Sequence, residues 1–147
     1  NGSQLSQCNF KGASLQEAQL NQVHARQTLF MEANLRGAKC RDSVFDQAIF
    51  VSAMLEQCDF NRSSFFQSIF QLSNASQANF IGCDLTYSDF SGADLHGADL
   101  RDAIFSRTRL HRANQQQAHF STRLGILECD EELLAAEAWS LQHNCRK

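Results

Sequence analysis

The sequence repeats every five residues from Ser3 to Phe120 without an insertion. Every fifth residue counted from Leu5, which we call the centre of its repeat, is Leu or Phe at 20 of 24 positions. The residue two places before each centre is Ala, Ser, Cys or Thr, except at Val23. A pattern this regular restricts the chain to folds in which five residues form one structural unit.

Neither common secondary structure has a period of five. On an α-helix, five residues turn the side chain through about 500°, so successive centres would share no face. On a strand, consecutive centres would point to opposite sides, because five is an odd number. All centres face one interior only if the chain bends once in each repeat. Four bends close a square coil, so we expect four repeats to bring the chain back above its starting point.

Several repeats resemble the A-(D/N)-(L/F)-x-x unit of pentapeptide repeat proteins. The segments that carry the resemblance are Ala78-Asn79-Phe80, Cys83-Asp84-Leu85, Ala93-Asp94-Leu95, Ala98-Asp99-Leu100 and Ala103-Ile104-Phe105. It covers residues 3–122 and implies the right-handed quadrilateral β-helix of that family. The departures from the pattern are Ala25, Cys40, Ala75 and Gln115 at centres and Val23 at a small position.

We therefore predict an all-β solenoid over residues 1–122 and a C-terminal cap segment over residues 123–147. The solenoid should contain 24 pentapeptide repeats in about six coils, which makes a rod about 29 Å long at about 4.8 Å per coil. Counting in steps of four repeats stacks one row of centres on a single side, namely Phe10, Phe30, Phe50, Phe70 and Phe90. We expect the row Leu15, Leu35, Leu55, Ala75 and Leu95 on the opposite side.

The cap segment should contain an α-helix at about residues 130–143. Asp130 is a suitable N-cap, and two glutamates follow it in the first turn. We expect an apolar helix face to cover the last coil, or alternatively to contact a second copy through Trp139. That face consists of Leu134, Ala138, Trp139 and Leu141. The amide of Gln115, near the same end, should reach water or a capping group, because burying it unpaired is costly.

No pattern for catalytic, cofactor-binding or metal-binding residues is present in the sequence. None of the six cysteines forms a CxxC pair, and four occupy small or central positions, namely Cys8, Cys40, Cys58 and Cys83. This predicts structural thiols and a reducing, cytoplasmic compartment, with secretion as part of an effector as the alternative. Asp84, Asp89, Asp94 and Asp99 each precede a centre, where a carboxylate can bind backbone groups at the bend.

The charge balance argues against a nucleic-acid-binding protein. The chain has 13 basic and 16 acidic residues, and residues 1–122 hold 10 and 11 of them. No basic patch dominates, and no apolar run reaches the roughly 18–20 residues of a membrane helix. A filled square rod also leaves no pocket for a small-molecule substrate. Because the chain begins without Met, we expect it to be a module of a longer polypeptide.

One side of the predicted rod carries outward apolar residues where polar ones are expected. Counting in steps of four repeats places three pairs on consecutive coils, with two further residues on the adjoining side. We call this set the apolar stripe, and it consists of Leu29, Met31, Ile49, Val51, Ile69, Leu72, Val44 and Phe66. A contiguous apolar patch indicates an interface, although β propensity on a flat wall is the alternative explanation.

These features favour a non-catalytic protein–protein interaction scaffold that binds a partner or a second copy through the apolar stripe. The family resemblance implies a module of a bacterial effector or secretion-associated protein. The alternative within the family is a DNA-mimicking, gyrase-binding protein of the quinolone-resistance type. A mimic of phosphate should carry a clear negative field, whereas this rod is nearly neutral. An enzyme is least favoured, because no concave site is expected.

Overall fold

The computed structural model, which describes residues 2–128 and 135–140, is a four-sided parallel β-helix. Each residue that precedes a centre forms a parallel bridge with its equivalent four repeats later, from Gln4 with His24 to Asp94 with Asn114. The same offset joins strand β1, Asp99–Leu100, to strand β3, His119–Phe120. The predicted coil of four repeats is therefore confirmed.

A turn follows each centre from Leu5 to Gln115 and bends the chain by one corner. The residue two places after each of these centres has a positive φ, for example +60° at Gln47 and +68° at Gly12. At most corners the N–H three places after the centre donates to the carbonyl of the centre, as Ala13 does to Phe10 at 2.9 Å. A positive φ at the third residue with this bond is the geometry of a type II turn. One bend per repeat is thus confirmed.

The Asp and Asn residues that precede centres stabilise these turns. Their side-chain oxygens accept hydrogen bonds from the backbone N–H two residues later. Asp84 binds the N–H of Thr86 at 3.1 Å, and Asp89 binds that of Ser91 at 2.9 Å. These are Asx turns, in which the side chain replaces a missing backbone acceptor. The local role that we predicted for these carboxylates is confirmed.

Polar residues at the small positions are buried because their hydroxyl groups bind backbone carbonyls of centres, either in the preceding coil or, for Ser73 and Ser88, in their own turn. The hydroxyl of Thr28 donates to the carbonyl of Leu5 at 2.7 Å, and that of Ser63 donates to Cys40 at 2.6 Å. Both acceptors are the carbonyls of centres in the preceding coil. A buried hydroxyl with such a partner avoids the cost of an unpaired polar group.

The centres fill the interior in stacked rows. Phe10, Phe30, Phe50, Phe70 and Phe90 stack with ring centroids 4.4–5.4 Å apart and planes within 11° of parallel. This row was predicted to face the row of Leu15, and that prediction is wrong. One repeat turns only one corner, so the row of Leu15 lies on the adjacent side. The side opposite the Phe50 row is reached two repeats later in the chain, and its centres include Phe60 and Phe80.

The aromatic contact across the rod has a specific geometry. The rings of Phe50 and Phe60 are 6.3 Å apart at 74°, and those of Phe80 and Phe90 are 5.7 Å apart at 89°. Edge-to-face pairs across the interior therefore complement parallel stacks along it, and both arrangements suit the charge distribution of aromatic rings.

Residues 122–128 cover part of the C-terminal end of the rod. Strand β2, Thr108–Arg109, pairs in parallel with strand β4, Ile126–Leu127, in a final coil that is two residues shorter than the others. Arg123 donates to the side-chain oxygen of Gln115 at 2.5 Å, and its guanidinium lies 4.4 Å from the centroid of Phe120. The amide of Gln115 therefore reaches a capping group, which is one of the two outcomes predicted for it.

Residues 135–140 are helical, and the other positions of the helix predicted at about 130–143 lie outside the described residues. Ala138 and Trp139 are exposed, and the predicted cap over the last coil stays a prediction. Leu134 and Leu141 lie outside the described residues.

The helix contacts the rod through Glu137. The Glu137 carboxylate lies 3.3 Å from Nε2 of His111 and binds Nε of Arg112. Desolvation would raise the pKa of Glu137, but the hydrogen bonds of Arg112 and His111 hold that pKa below its usual value. The contact that Glu137 makes with the rod is therefore polar.

Four described cysteines are free thiols, and three of them are buried, namely Cys40, Cys58 and Cys83. The thiols of Cys58 and Cys83 donate to backbone carbonyls at 2.7 and 2.9 Å. Burial raises the pKa of both to about 12 and raises the pKa of Cys40 as well. Cys129 and Cys145 lie outside the described residues.

Replacing Gly125 with Ala should destabilise the C-terminal end of the rod. A Cβ atom there would lie 2.0 Å from the carbonyl oxygen of Phe105, at a φ of +90°. We expect Gly125→Ala to lower the free energy of unfolding by about 1–3 kcal/mol in urea titrations. Gly12→Ala is the matched control, because its φ is also positive but nothing lies near its added Cβ. Equal losses in both variants would contradict the predicted clash.

The buried thiols should resist alkylation in the folded protein. Iodoacetamide at about pH 8 should modify half-buried Cys8 first, and Cys58 and Cys83 only after denaturation, because unfolding returns their pKa to about 8.5. Peptide mass spectrometry gives the order. The folded chain holds these protons to a higher pH than the unfolded chain, so the free energy of unfolding should fall above about pH 8.5. Rapid alkylation of the native chain at Cys58 would contradict this account.

Candidate protein-interaction face

The middle of the apolar stripe is a column of three residues on one side of the rod. Leu29 bridges Ile49, and Ile49 bridges Ile69, on three consecutive coils. All three side chains are half-buried, because each packs against the coil above and below. Their hydrocarbon surfaces thus form a shallow, continuous band at the coil spacing of about 4.8 Å.

The structure places the edges of the apolar stripe differently from the sequence pattern at one position. Met31 and Val51 are each the first residue of the turn at the same corner, on two successive coils. Both are half-buried. Leu72 was expected above them, but Gln71 takes that place, because Leu72 is the second residue of its turn. Leu72 has a φ of +60° and is 67% exposed, and the missing side chain of Gly92 leaves room for it.

The two remaining predicted residues lie beside the column. Val44 bridges His24 and Ser64 on the preceding side. Phe66 is at the corner between the two sides, where its ring meets that of Tyr87 at 5.9 Å and 85°. Tyr87 is 48% exposed and extends the apolar surface by one coil. Counting in steps of four repeats would have placed it above Gln67, beside Phe66.

Leu127 also joins this side of the rod, and no sequence pattern places it there. It belongs to β4 and pairs with Arg109, the outward residue two coils beyond Ile69. Its side chain is 47% exposed. The five-residue repeat has ended before Leu127, so its position depends on the shortened final coil.

A ladder of glutamine side chains borders the apolar stripe at one corner. Gln7 donates to Gln27 at 3.0 Å, Gln27 to Gln47 at 2.9 Å, and Gln47 to Gln67 at 2.9 Å. Each side-chain amide donates a hydrogen bond to the amide oxygen of the glutamine on the next coil, so the border is polar but uncharged. The ladder fixes four side chains at the edge of the apolar surface.

The apolar stripe ends at a hollow of about 350 Å³ that contains both apolar and basic residues. Its walls include Ile69, Tyr87, Arg107, Arg109 and Leu127. Arg107 and Arg109 are exposed, and neither forms an ion pair with a residue that the structure describes. The neighbouring Asp89 already accepts hydrogen bonds at 2.7 Å from Gln71 and at 2.9 Å from Ser91.

The described part of the chain shows no arrangement typical of a metal centre. Within residues 2–128 and 135–140, no group of three or more His, Cys, Asp or Glu side chains is arranged so that it could hold a metal ion. Over the same residues, no helix has the length and apolar character needed to cross a lipid bilayer.

A sequence model described as pentapeptide repeats matches the chain in 8 copies, over residues 1–24, 28–65, 69–102 and 78–114. No curated protein sequence matches the chain at a significant level. Among solved structures, the chain is similar to HetL, a pentapeptide repeat protein involved in heterocyst differentiation regulation in the cyanobacterium Nostoc. The two are 21% identical, the match covers 88% of this chain and 80% of HetL, and the TM-score is 0.53.

Two further solved structures match the chain. The pentapeptide repeat protein Rfr23 from the cyanobacterium Cyanothece is 20% identical, with 87% of this chain and 88% of Rfr23 covered and a TM-score of 0.52. A pentapeptide repeat protein from the thylakoid lumen of Arabidopsis thaliana is 19% identical, with 92% and 74% covered and a TM-score of 0.44. At these identities, HetL and Rfr23 support the fold alone.

Replacing Leu72 with Asn should stabilise the rod. A positive φ costs a branched L-residue about 1 kcal/mol, and Asn tolerates it better. Little packing is lost, because Leu72 is 67% exposed. We expect Leu72→Asn to raise the Tm by a few degrees in thermal unfolding. Leu72→Val is the control and should lower the Tm, since a β-branched residue suits this backbone least. A lower Tm for Leu72→Asn would show that the side chain contributes more than its backbone costs.

Proposed function

Because the chain belongs to the pentapeptide repeat family, we propose that it is a non-catalytic scaffold that binds a protein partner through the apolar stripe. Proteins of this family are generally structural or binding proteins. The observation that carries the proposal is the column of Leu29, Ile49 and Ile69 on three consecutive coils of a rigid rod, with the half-exposed ring of Tyr87 at the adjoining corner.

The composition of the column supports a binding role over simple β propensity. At the equivalent position of ten other repeats, an Asp or Asn accepts a backbone hydrogen bond from its own turn, as Asp89 does. Leu29, Ile49 and Ile69 have no side-chain oxygen and give up this interaction on three consecutive coils. If β propensity explained them, similar residues would occur evenly on all sides. The other sides have only Val44, Met54 and Ile104 there, none adjacent to another.

The filled interior supports a role without catalysis. The centres from Phe30 to Leu100 are at most 1% exposed, so these coils enclose no cavity that could hold a substrate. The described aspartates before centres bind backbone groups of their own turns. A rigid surface without a pocket is suited to binding another macromolecule by surface contact, and not to enclosing a small-molecule substrate.

The distribution of charge does not favour a DNA mimic. Carboxylates and guanidinium groups pair with each other along the rod, as in Arg36 with Glu56 and Arg62 with Asp42. The hydrogen bonds and charge of Arg62 lower the pKa of Asp42, so this pair stays ionised and locally neutral. A phosphate mimic needs carboxylates that are not neutralised in this way.

We further propose a reducing compartment and a partner that is not a second copy. The four described thiols are free, which is typical of a reducing environment. A homodimer through the apolar stripe, or through Trp139, is the alternative, and sedimentation separates it from the proposal. A chain of this kind would act as one module of a longer bacterial protein.

Substituting arginine on the column should abolish partner binding without unfolding the rod. We expect Ile49→Arg and Ile69→Arg each to reduce cross-linked capture of partner proteins at least about tenfold, since each puts a charge into an apolar contact. Capture is measured by quantitative mass spectrometry on extracts of the native cells. Sedimentation velocity at several concentrations reports self-association.

Met54→Arg is the matched control, because Met54 is a half-buried strand residue of the same coil as Ile49, on the next side of the rod. It should leave capture unchanged. Circular dichroism and the Tm should match the unmodified protein in every variant. If Ile49→Arg and Met54→Arg give the same capture with the fold intact, the proposed face is wrong.

A further inference from the structure

We propose that the partner segment is an amphipathic α-helix that lies along the rod and places an acidic side chain between Arg107 and Arg109. This inference rests on the proposed function, since it names the chemistry of the partner at the same face. Three properties of the face lead to it, namely its area, its spacing and the charge at one end.

The area of the face favours a single helix over a second copy. One whole side of the rod is about 29 Å long and about 10 Å wide, which is on the order of 300 Å². A stable interface between two globular proteins buries about 800 Å² on each partner. Two flat sides would therefore hold together weakly. A helix is about 10 Å in diameter, so it covers the column and both bordering corners.

The spacing of the column matches one face of a helix. From Leu29 to Ile69 there are two coil steps, which is about 9.6 Å. Residues i and i+7 of an α-helix are about 10.5 Å apart along its axis and lie on the same side. An apolar residue at i+3 or i+4 then falls on Ile49. A helix along the rod thus puts one apolar side chain on each of the three coils.

The charge at the end of the column requires an acidic residue on that helix. Arg109 lies two coils beyond Ile69, about 19 Å from Leu29 along the rod. Residue i+11 lies about 16.5 Å from residue i on the same helix face, and a glutamate side chain spans the remaining distance. Arg107 is on the same coil as Arg109, and both guanidinium groups are exposed without an ion pair among the described residues.

The surroundings of the two arginines strengthen such a contact. Tyr87 and Leu127 line the same hollow, so a docked carboxylate would be partly removed from water. Charge-assisted hydrogen bonds of Arg to carboxylate are stronger than neutral ones. Asp89 also lines the hollow; it accepts hydrogen bonds from Gln71 and Ser91 and forms no ion pair with either arginine. The arginines are therefore available to a partner.

Two synthetic peptides of about 18 residues test this inference with the full chain. Both have Leu at i, i+4 and i+7 on an Ala- and Gln-rich helical background, and they differ only at i+11, which is Glu in one and Lys in the other. Fluorescence anisotropy of labelled peptide gives each Kd. We expect the Glu peptide to bind at least about tenfold more tightly than the Lys peptide.

Reversing the charge of the two arginines should reverse the preference of the rod for the Glu peptide over the Lys peptide. The variant Arg107→Glu/Arg109→Glu should bind the Lys peptide more tightly than the Glu peptide, and its Tm should be unchanged because both side chains are exposed. Ile49→Arg should weaken both peptides, and Met54→Arg neither. Raising the salt concentration should weaken the Glu peptide more than a third peptide with Gln at i+11, since salt screens only the charged contact.

The outcomes separate this inference from the proposed function. If Ile49→Arg weakens both peptides but the Glu and Lys peptides bind equally, the apolar face is a docking site and the acidic contact is wrong. If no peptide binds at millimolar concentration, a helical partner is wrong, and native capture by the Ile49→Arg variant still decides the proposed function. Equal binding by all rod variants overturns both.

Discussion

The structure depends on the stacking of each coil directly above the coil that precedes it in the chain. Backbone hydrogen bonds join successive coils, as from Phe50 to Ile69 at 2.7 Å, and like centres stack on like, as Phe50 does on Phe70 at 4.8 Å. Both interactions require the same register. An insertion of one residue would move every later centre away from its row, which explains why no repeat between residues 3 and 120 is longer or shorter than five.

The same register turns the surface into columns. Each outward residue lies directly beside the residue twenty positions later, on the next coil. When the same type of residue occupies that position on several coils, the side chains form a continuous column. The glutamine ladder and the column of Leu29, Ile49 and Ile69 are two results of this rule, and they lie side by side. A solid rod whose interior is occupied by its own centres interacts with other molecules only through such columns.

The ends of the rod follow different rules, because the repeat cannot satisfy its own last coil. There the chain shortens its final coil, uses Arg123 to bind Gln115 and cover Phe120, and places Gly125 against the backbone of Phe105. These contacts join residues that share no periodic relation. They also bring Leu127 beside Arg109 and so complete the hollow at the end of the apolar stripe.

The sequence alone determined the coil of four repeats, the inward rows, the Asx turns and most of the apolar stripe, because one period governs both local bending and distant pairing. Only the tertiary structure placed Leu72 one position away from its expected column, added Leu127, put Glu137 against the rod, and set Phe60 opposite Phe50. The physical reason is the same in each case. A period states which residues are equivalent, whereas the directions of side chains at a corner, and contacts made after the period ends, depend on three-dimensional packing.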